Sequence, residues 1–372
     1  MKPFFATILS LIMCVLFYMI LDINIIDHFS EQDSEADVIN FFYKVENRDS
    51  DDDSHLAFFD DKIVIYDLEG NNSRREIADA IAKISGFKPK AIVLDIIFPE
   101  TAAIDSASNQ YLEETIKSCD AIFIACRYAS GKMERSFFAE DSHFKEGLTN
   151  NITHFKPTEE IDGIKYNYLP YLTIDIDAPE NTHLLVNYKD KAFKKIAISD
   201  SLFSDEISDR VIIVGDLSDL RDTHDMPFKI NGSKRVSGMI LLAHTFSTIN
   251  NETWIIRTKK WINIVIAFVF TFSFTCLCYW LRNRVATRKK DDSSNKKKSK
   301  STFPVWSSFI ERTARVFLVL LMMFGGYILF TKGLFTNLTY AMISVALTGL
   351  SIDITDLIEH YKCTLFNKFK KR

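Results

Sequence analysis

The sequence predicts an α/β domain, a mainly parallel sheet covered by helices with an irregular β insertion, joined to four transmembrane helices. Three observations predict it. Short β-branched runs alternate with helical stretches between residues 63 and 250. Four apolar stretches, one before that region and three after it, each have the roughly 17–21 residues that a bilayer-crossing helix needs. Charge is divided as well. Residues 23–260 hold 42 acidic and 27 basic residues, a net −15, and the remainder holds 7 and 18, a net +11, which sum to the chain's −4.

The apolar stretches are Phe4 to Leu21, Trp261 to Leu281, Ala314 to Phe330 and Leu334 to Leu350. The first lacks a small-x-small cleavage site after it, and Met13 stands where a lipoprotein signal before Cys14 needs a small residue, so it reads as a retained anchor. The fourth carries Thr336, Asn337 and Thr339, which leaves a re-entrant or interfacial helix open as an alternative. Basic residues crowd 282–312 and the C-terminus (Lys362, Lys368, Lys370, Lys371, Arg372), so both segments are expected to be cytoplasmic. The expected layout is then an anchor at 1–22, an outward domain at 23–260, and spans at 261–281, 313–331 and 334–351. A basic loop at 282–312 and a tail at 352–372 would lie inside.

The domain's elements follow in order. Asp49 to Ser54 reads as a solvated acidic linker, and a calcium loop there lacks the distal Glu of an EF-hand. Ile63–Asp67 is a β-branched strand. Ser73-Arg74-Arg75-Glu76 is a capping box that opens a helix, with Ile77, Ala80, Ile81 and Ile84 on one face and Gly86 and Pro89 ending it. Ala91–Asp95 is a second strand, Asn109–Ser118 a second helix, and Ala121–Cys126 a third strand. Residues 135–182 have weak periodicity and form the irregular insertion. His183–Tyr188 and Val211–Gly215 read as strands, and Gly238–Asn250 as a helix that hands on to the second span. Cys119 and Cys126 flank a strand that holds them about 20 Å apart, too far for a disulfide.

These blocks resemble the CHASE sensory domain of the second type, an extracytoplasmic input module of bacterial receptors. Ile63–Asp67, Ala91–Glu100, His183–Tyr188 with its Asn187-Tyr188, and Arg210–Asp216 followed by Asp222, Pro227 and Gly238 stand in the family's order. One span before the domain and three after it also match. The sequence departs from the family after Gly238, where Met239–His244 replaces a Glu and a His-Ala-Asn, and at Asp162–Tyr166, where only a Lys stands for an Arg. The resemblance implies a sensor in the bacterial cytoplasmic membrane. Family members usually continue into a signalling domain. Here about 22 residues follow the last span, so a separate signalling protein is the expected output partner.

Three strands are expected to end in carboxylates, Asp67, Asp95 and Asp216, at the edge where parallel α/β sheets bind ligands. With Asp222 they are the candidate ligand-binding residues. The alternative is that each strand-end acid caps a helix. Asp222-Thr223-His224-Asp225, with His244 on the next helix, is a conceivable metal site without a fixed-spacing motif. No nucleophile elbow, phosphate-binding glycine loop or Cys-x-x-Cys is present, so neither enzyme activity nor a cofactor is expected. The basic loop fits anionic lipid better than nucleic acid. Ile354, Leu357, Ile358, Tyr361, Leu365 and Phe369 mark the tail as a basic amphipathic helix for the membrane face or a partner. An envelope scaffold without a small ligand is the competing reading.

Overall fold

The β-branched runs form the centre of a parallel sheet, because only unbroken apolar strands suit a sheet buried on both faces. The computed structural model describes residues 2–24, 31–47, 58–70, 73–99, 106–139, 144–149, 154–155, 157–174, 184–189, 191–293 and 303–370. The acidic stretch 49–54, and with it the linker and calcium-loop readings, lies outside the described residues. The chain divides into two compact units, Asn40–Arg257 and Met1–Ile39 with Thr258–Arg372, which are taken in turn.

Helices α1 (Lys2–Asn24) and α2 (Glu31–Glu46) precede strand β1 (Phe58–Asp67). Then come α3 (Arg74–Ser85), β2 (Ala91–Leu94), α4 (Ser106–Lys117), β3 (Ile122–Ala129), β4 (Lys132–Glu134) and β5 (Lys145–Leu148). Strand β6 (His154–Phe155), the hairpin β7 (Thr158–Ile161) and β8 (Ile164–Asn167), the short helix α5 (Leu169–Thr173) and β9 (Leu184–Leu185) follow. The unit closes with β10 (Lys191–Ala197), α6 (Ser204–Ile207), β11 (Val211–Gly215), the antiparallel pair β12 (Thr223–Ile230) and β13 (Ser233–Ser237), α7 (Gly238–Asn250) and β14 (Ile255–Arg257).

The main sheet runs β10-β1-β11-β2-β3, all parallel, and β3 then pairs with β5 in parallel and with β4 antiparallel. Alternate residues split the core. Val64, Tyr66, Ile92, Leu94, Ile124, Ile212 and Val214 are buried against Ile77, Ile81 and Ile84 of α3 and Leu112 and Ile116 of α4. Each of these apolar side chains contributes about 1.5–3 kcal/mol by burial. Ser73 caps α3 by accepting from Glu76 N at 3.2 Å, as the capping box predicts. Helix α7 packs on β1 and β11, and Gly215 makes room for it: a Cβ there would lie 2.8 Å from Met239 Sδ.

Three readings are corrected and one strand is added. Among the described residues of the expected 183–188 strand, none joins the main sheet; Leu184–Leu185 pairs antiparallel with β6 and β14 in a small separate sheet. The insertion is more regular than expected, since β5 extends the main sheet and β7–β8 is a hairpin. Strand β10 was hidden by Lys191, Lys194 and Lys195, a charge content that an edge strand tolerates. The second helix starts earlier, at Ser106. Cys119 and Cys126 are both free.

The other unit holds α1, α8 (Lys260–Ser293), α9 (Phe303–Thr331) and α10 (Thr339–Lys370). Three helical stretches are long and apolar enough to cross a membrane: Lys260–Arg284, Phe309–Thr331 and Thr339–Lys362. Among the described residues the apolar part of α1 is Lys2–Leu16, shorter than a span. It packs on α10 and α8, and Ser10 Oγ donates to Ser344 O at 2.6 Å. Thr336 and Asn337 stand before α10 rather than in it, and Asn337 Oδ1 accepts from Thr339 N at 3.0 Å. Polarity there begins a helix and does not interrupt a span. The same helix runs on to Lys370, so the expected tail helix is its continuation and not a separate element. Likewise the basic loop is shortened by α8 and α9. Arg282 bridges Glu311 (3.3 Å), Asp353 (3.0 Å) and Asp356 (3.3 Å), and Arg315 pairs with Glu311 at 2.8 Å. Gly349 accommodates that arginine, since a Cβ would lie 2.5 Å from its Cζ.

Candidate functional site

Strands β1, β11 and β2 are neighbours and parallel, so the residues at their carboxyl ends, Asp67, Asp216 and Asp95, share one sheet edge. Their environments differ. Asp67 Oδ1 accepts from Leu217 N at 3.0 Å and Glu69 N at 3.1 Å, which stitches β1 to the loop after β11. Asp216 Oδ1 accepts from Ser218 N at 2.8 Å and Ser218 Oγ at 2.6 Å, closing its own turn. The backbone N of Asp95 donates to Val214 O at 3.0 Å, but among the described residues its carboxylate has neither a hydrogen-bond donor nor an ion-pair partner in contact.

Asp95 instead faces a cavity of about 610 Å³ at this edge. Asp216 and Asp222 line it too, and Asp67 does not. The apolar wall includes Ile96, Ile97, Leu241 and Leu242; the polar groups include Arg127, Thr149, Tyr168, Asp219, Arg221 and His224. Asp95 lies deep yet keeps some accessible area, as a cavity-lining side chain does. Burial, reinforced by the charge of Asp222 and opposed by Arg127, pushes its carboxyl up to about 7.

The other charges are already engaged. Arg127 Nε and Nη2 both donate to Glu134 Oε2, at 3.0 and 2.6 Å. Arg221 Nε and Nη2 donate to the two carboxylate oxygens of Asp219, each at 3.1 Å. His224 Nε2 lies 3.7 Å from Asp222 Oδ1. Burial raises the Asp222 carboxyl, and His224 opposes this.

Asp222 also sits against the start of α7. A Cβ on Gly238 would stand 2.5 Å from its Oδ1, so only glycine admits the carboxylate there. A helix N-terminus favours that negative charge. The amino-terminal half of α7 forms a cavity wall through Met239, Leu241, Leu242 and Thr245. Its other half is fixed to the sheet. Lys191 Nζ donates to Ser247 Oγ at 3.0 Å, and Ser247 Oγ donates to Asp60 Oδ2 at 2.5 Å, all buried. Asn251 Nδ2 adds a bond to Asp60 Oδ2 at 2.9 Å.

The metal reading of the 222–225 cluster with His244 is corrected. Helical phase turns His244 away from the cavity, between Tyr188 and Phe193, with ring centroids 5.5 and 5.0 Å away. Burial and Lys191 lower its pKa to about 3, so it is neutral. Among the described residues no group of three or more His, Cys, Asp or Glu could hold a metal ion.

Sequence reasoning missed Arg127, Tyr168, Thr149 and Arg221 as cavity residues. They come from the end of β3, the insertion and the loop after β11, and no spacing rule links them. The resemblance's Asn187-Tyr188 block has a structural role. Tyr188 packs on Tyr43 and Phe228, and Asn187 N donates to Thr248 Oγ1 at 3.0 Å, tying α2 and α7 together.

No curated protein and no solved structure matches the chain. The family model of the CHASE2 domain does, over residues 60–278, more than half of the chain, covering the cavity unit from β1 onward and entering α8. CHASE2 is a family of sensory domains. A match of that extent, over the strands, the cavity edge and the helix that follows, shows that this chain belongs to the CHASE2 domain family.

Proposed function

We propose that this protein is a non-catalytic membrane sensor whose ligand enters the cavity at the sheet edge. The observation that carries this reading is the wall formed by α7. The helix that borders the cavity leads, through residues 251–259, into α8, one of the helices long and apolar enough to cross a membrane. A ligand that prefers one position of α7 biases the population of that position and acts on α8 through a short covalent connection.

In this reading α1 is the first of four spans, residues 23–260 face outward from a bacterial cytoplasmic membrane, and the basic segments face the cytoplasm. The charge division supports that orientation. The output is a contact with a separate signalling protein, and the basic continuation of α10 is the surface offered to it.

The test uses the full-length protein in detergent or vesicles. The accessibility of a cysteine placed at Asn367 is followed in the wild type and in Ile97→Trp, which fills the cavity. Co-purification is run with and without residues 353–372. A sensor shows labelling or partner capture that changes with the cavity variant. Capture that depends on the outward surface and ignores both changes supports an envelope scaffold instead.

A further inference from the structure

We propose that the cavity takes a small organic cation, an ammonium group on an apolar body, held by Asp95 and Asp222. The inference rests on the reading of the cavity as the ligand site and adds the chemical class. Among the cavity's charged groups, each base already has an acid: Arg127 has Glu134, Arg221 has Asp219, and His224 shares Asp222. Among the described residues Asp95 alone of the cavity's four carboxylates has neither a hydrogen-bond donor nor a counter-charge in contact, since Asp216 is held by Ser218, Asp219 by Arg221 and Asp222 by His224, and it lies close enough to Asp222 for the two to repel. A deep carboxylate without a donor is costly. An ammonium ion supplies several N–H donors and the missing charge, whereas a neutral alcohol leaves the repulsion in place.

An inorganic ion fits less well. The described residues hold no group of three acidic or imidazole ligands in metal-binding range. The space, about 610 Å³, lies within the ~300–1,000 Å³ typical of small-molecule sites. Its walls supply apolar surface at Ile97, Leu241 and Leu242. A cation with a hydrocarbon part uses both features.

The experiment compares three probes of one skeleton, phenethylamine, 2-phenylethanol and phenylacetate, on the full-length protein in detergent at pH 8. Butylamine extends the cation series. Thermal shift and calorimetry give the affinities. The expected result is a cation preferred at least tenfold over the alcohol, with no binding of the carboxylate. Asp95→Asn weakens the amine at least tenfold, and Glu160→Gln, on exposed β7, leaves it unchanged. Asp222→Asn serves as the second variant if Asp95→Asn folds poorly.

Binding of phenylacetate in preference, lost in Ile97→Trp, would overturn the cation and keep the cavity as a ligand site. Amine binding undiminished by either Asn variant would overturn the assignment to these carboxylates. Binding of magnesium or calcium alone, or of no amine in the series, would likewise overturn the proposal.

Discussion

Replacing Asp95 by Asn is expected to stabilise the ligand-free protein at pH 8 and to leave it nearly unchanged at pH 4. The carboxyl titrates at 3.8 in an unfolded chain and is raised to about 7 in the fold. Between those values the folded state holds a proton that the unfolded state has released. Stability therefore falls as pH rises through this window and levels off above about 7. Each pH unit of difference is worth about 1.4 kcal/mol, which sets an upper bound of ~4 kcal/mol. The side chain faces a cavity rather than packed protein, so roughly half of that, about 2 kcal/mol, is the working expectation. For a unit of this size 1 kcal/mol moves Tm by about 2–4 °C. Asp95→Asn is thus expected to raise the Tm of the cavity unit by about 4–8 °C at pH 8, within the full-length protein in detergent. A difference that does not change between pH 4 and pH 8, or one that is larger at the acidic end, would refute the placement of an unpaired carboxyl in this cavity.

Gly238→Ala forces its methyl against Asp222 and is expected to cost about 1–3 kcal/mol; Asp222→Ala in the same chain relieves the clash, so a double-mutant cycle on Tm shows a coupling of about 1 kcal/mol or more. Lys191→Met leaves buried Asp60 without its nearby cation and is expected to cost about 3–5 kcal/mol by urea unfolding, with much of the loss recovered in Asp60→Asn/Lys191→Met. Tyr43→Phe removes the hydroxyl that donates to Val186 O in the interior and is expected to cost about 1–2 kcal/mol, read by the same unfolding curves.

The buried strands of the fold were legible because they are apolar on both faces. Ile63–Asp67, Ala91–Leu94 and Val211–Gly215 carry no polar alternation that a helix could imitate, and each lies inside the sheet. The elements that were missed carry the opposite signature. The lysines of β10 look like a solvated loop until the strand is placed at the sheet edge. In β5, Gly147 reads as a strand breaker, yet it is what the packing requires: a Cβ there would lie 2.5 Å from Leu169 Cα, so α5 can approach β5 only over a glycine. Thr336 and Asn337, before α10, weaken a hydropathy window without weakening the helix, because they precede its first turn. In each case the local composition was ambiguous and the tertiary neighbour decided the role.

The strand-end carboxylates show where that ambiguity becomes functional. Asp67, Asp216 and Asp95 share a residue type, a strand-end position and one sheet edge, and the sequence treats them alike. What separates them is the loop beside each. The loop after β11 presents the Leu217 amide to Asp67 and the Ser218 amide and hydroxyl to Asp216, so both carboxylates are satisfied by the fold itself. The residues after Asp95 offer it no such donor among those described, and the fold instead brings up Asp222, a second acid with its own seat against Gly238. Folding alone gains nothing from two acids held together in a half-dry cavity; proton uptake or a cation from outside relieves them. The pair also stands at the start of α7, whose far end is locked by Lys191, Ser247 and Asp60. A change in charge at Asp95 and Asp222 therefore acts at the amino end of that helix, and the next long helix in the chain is α8.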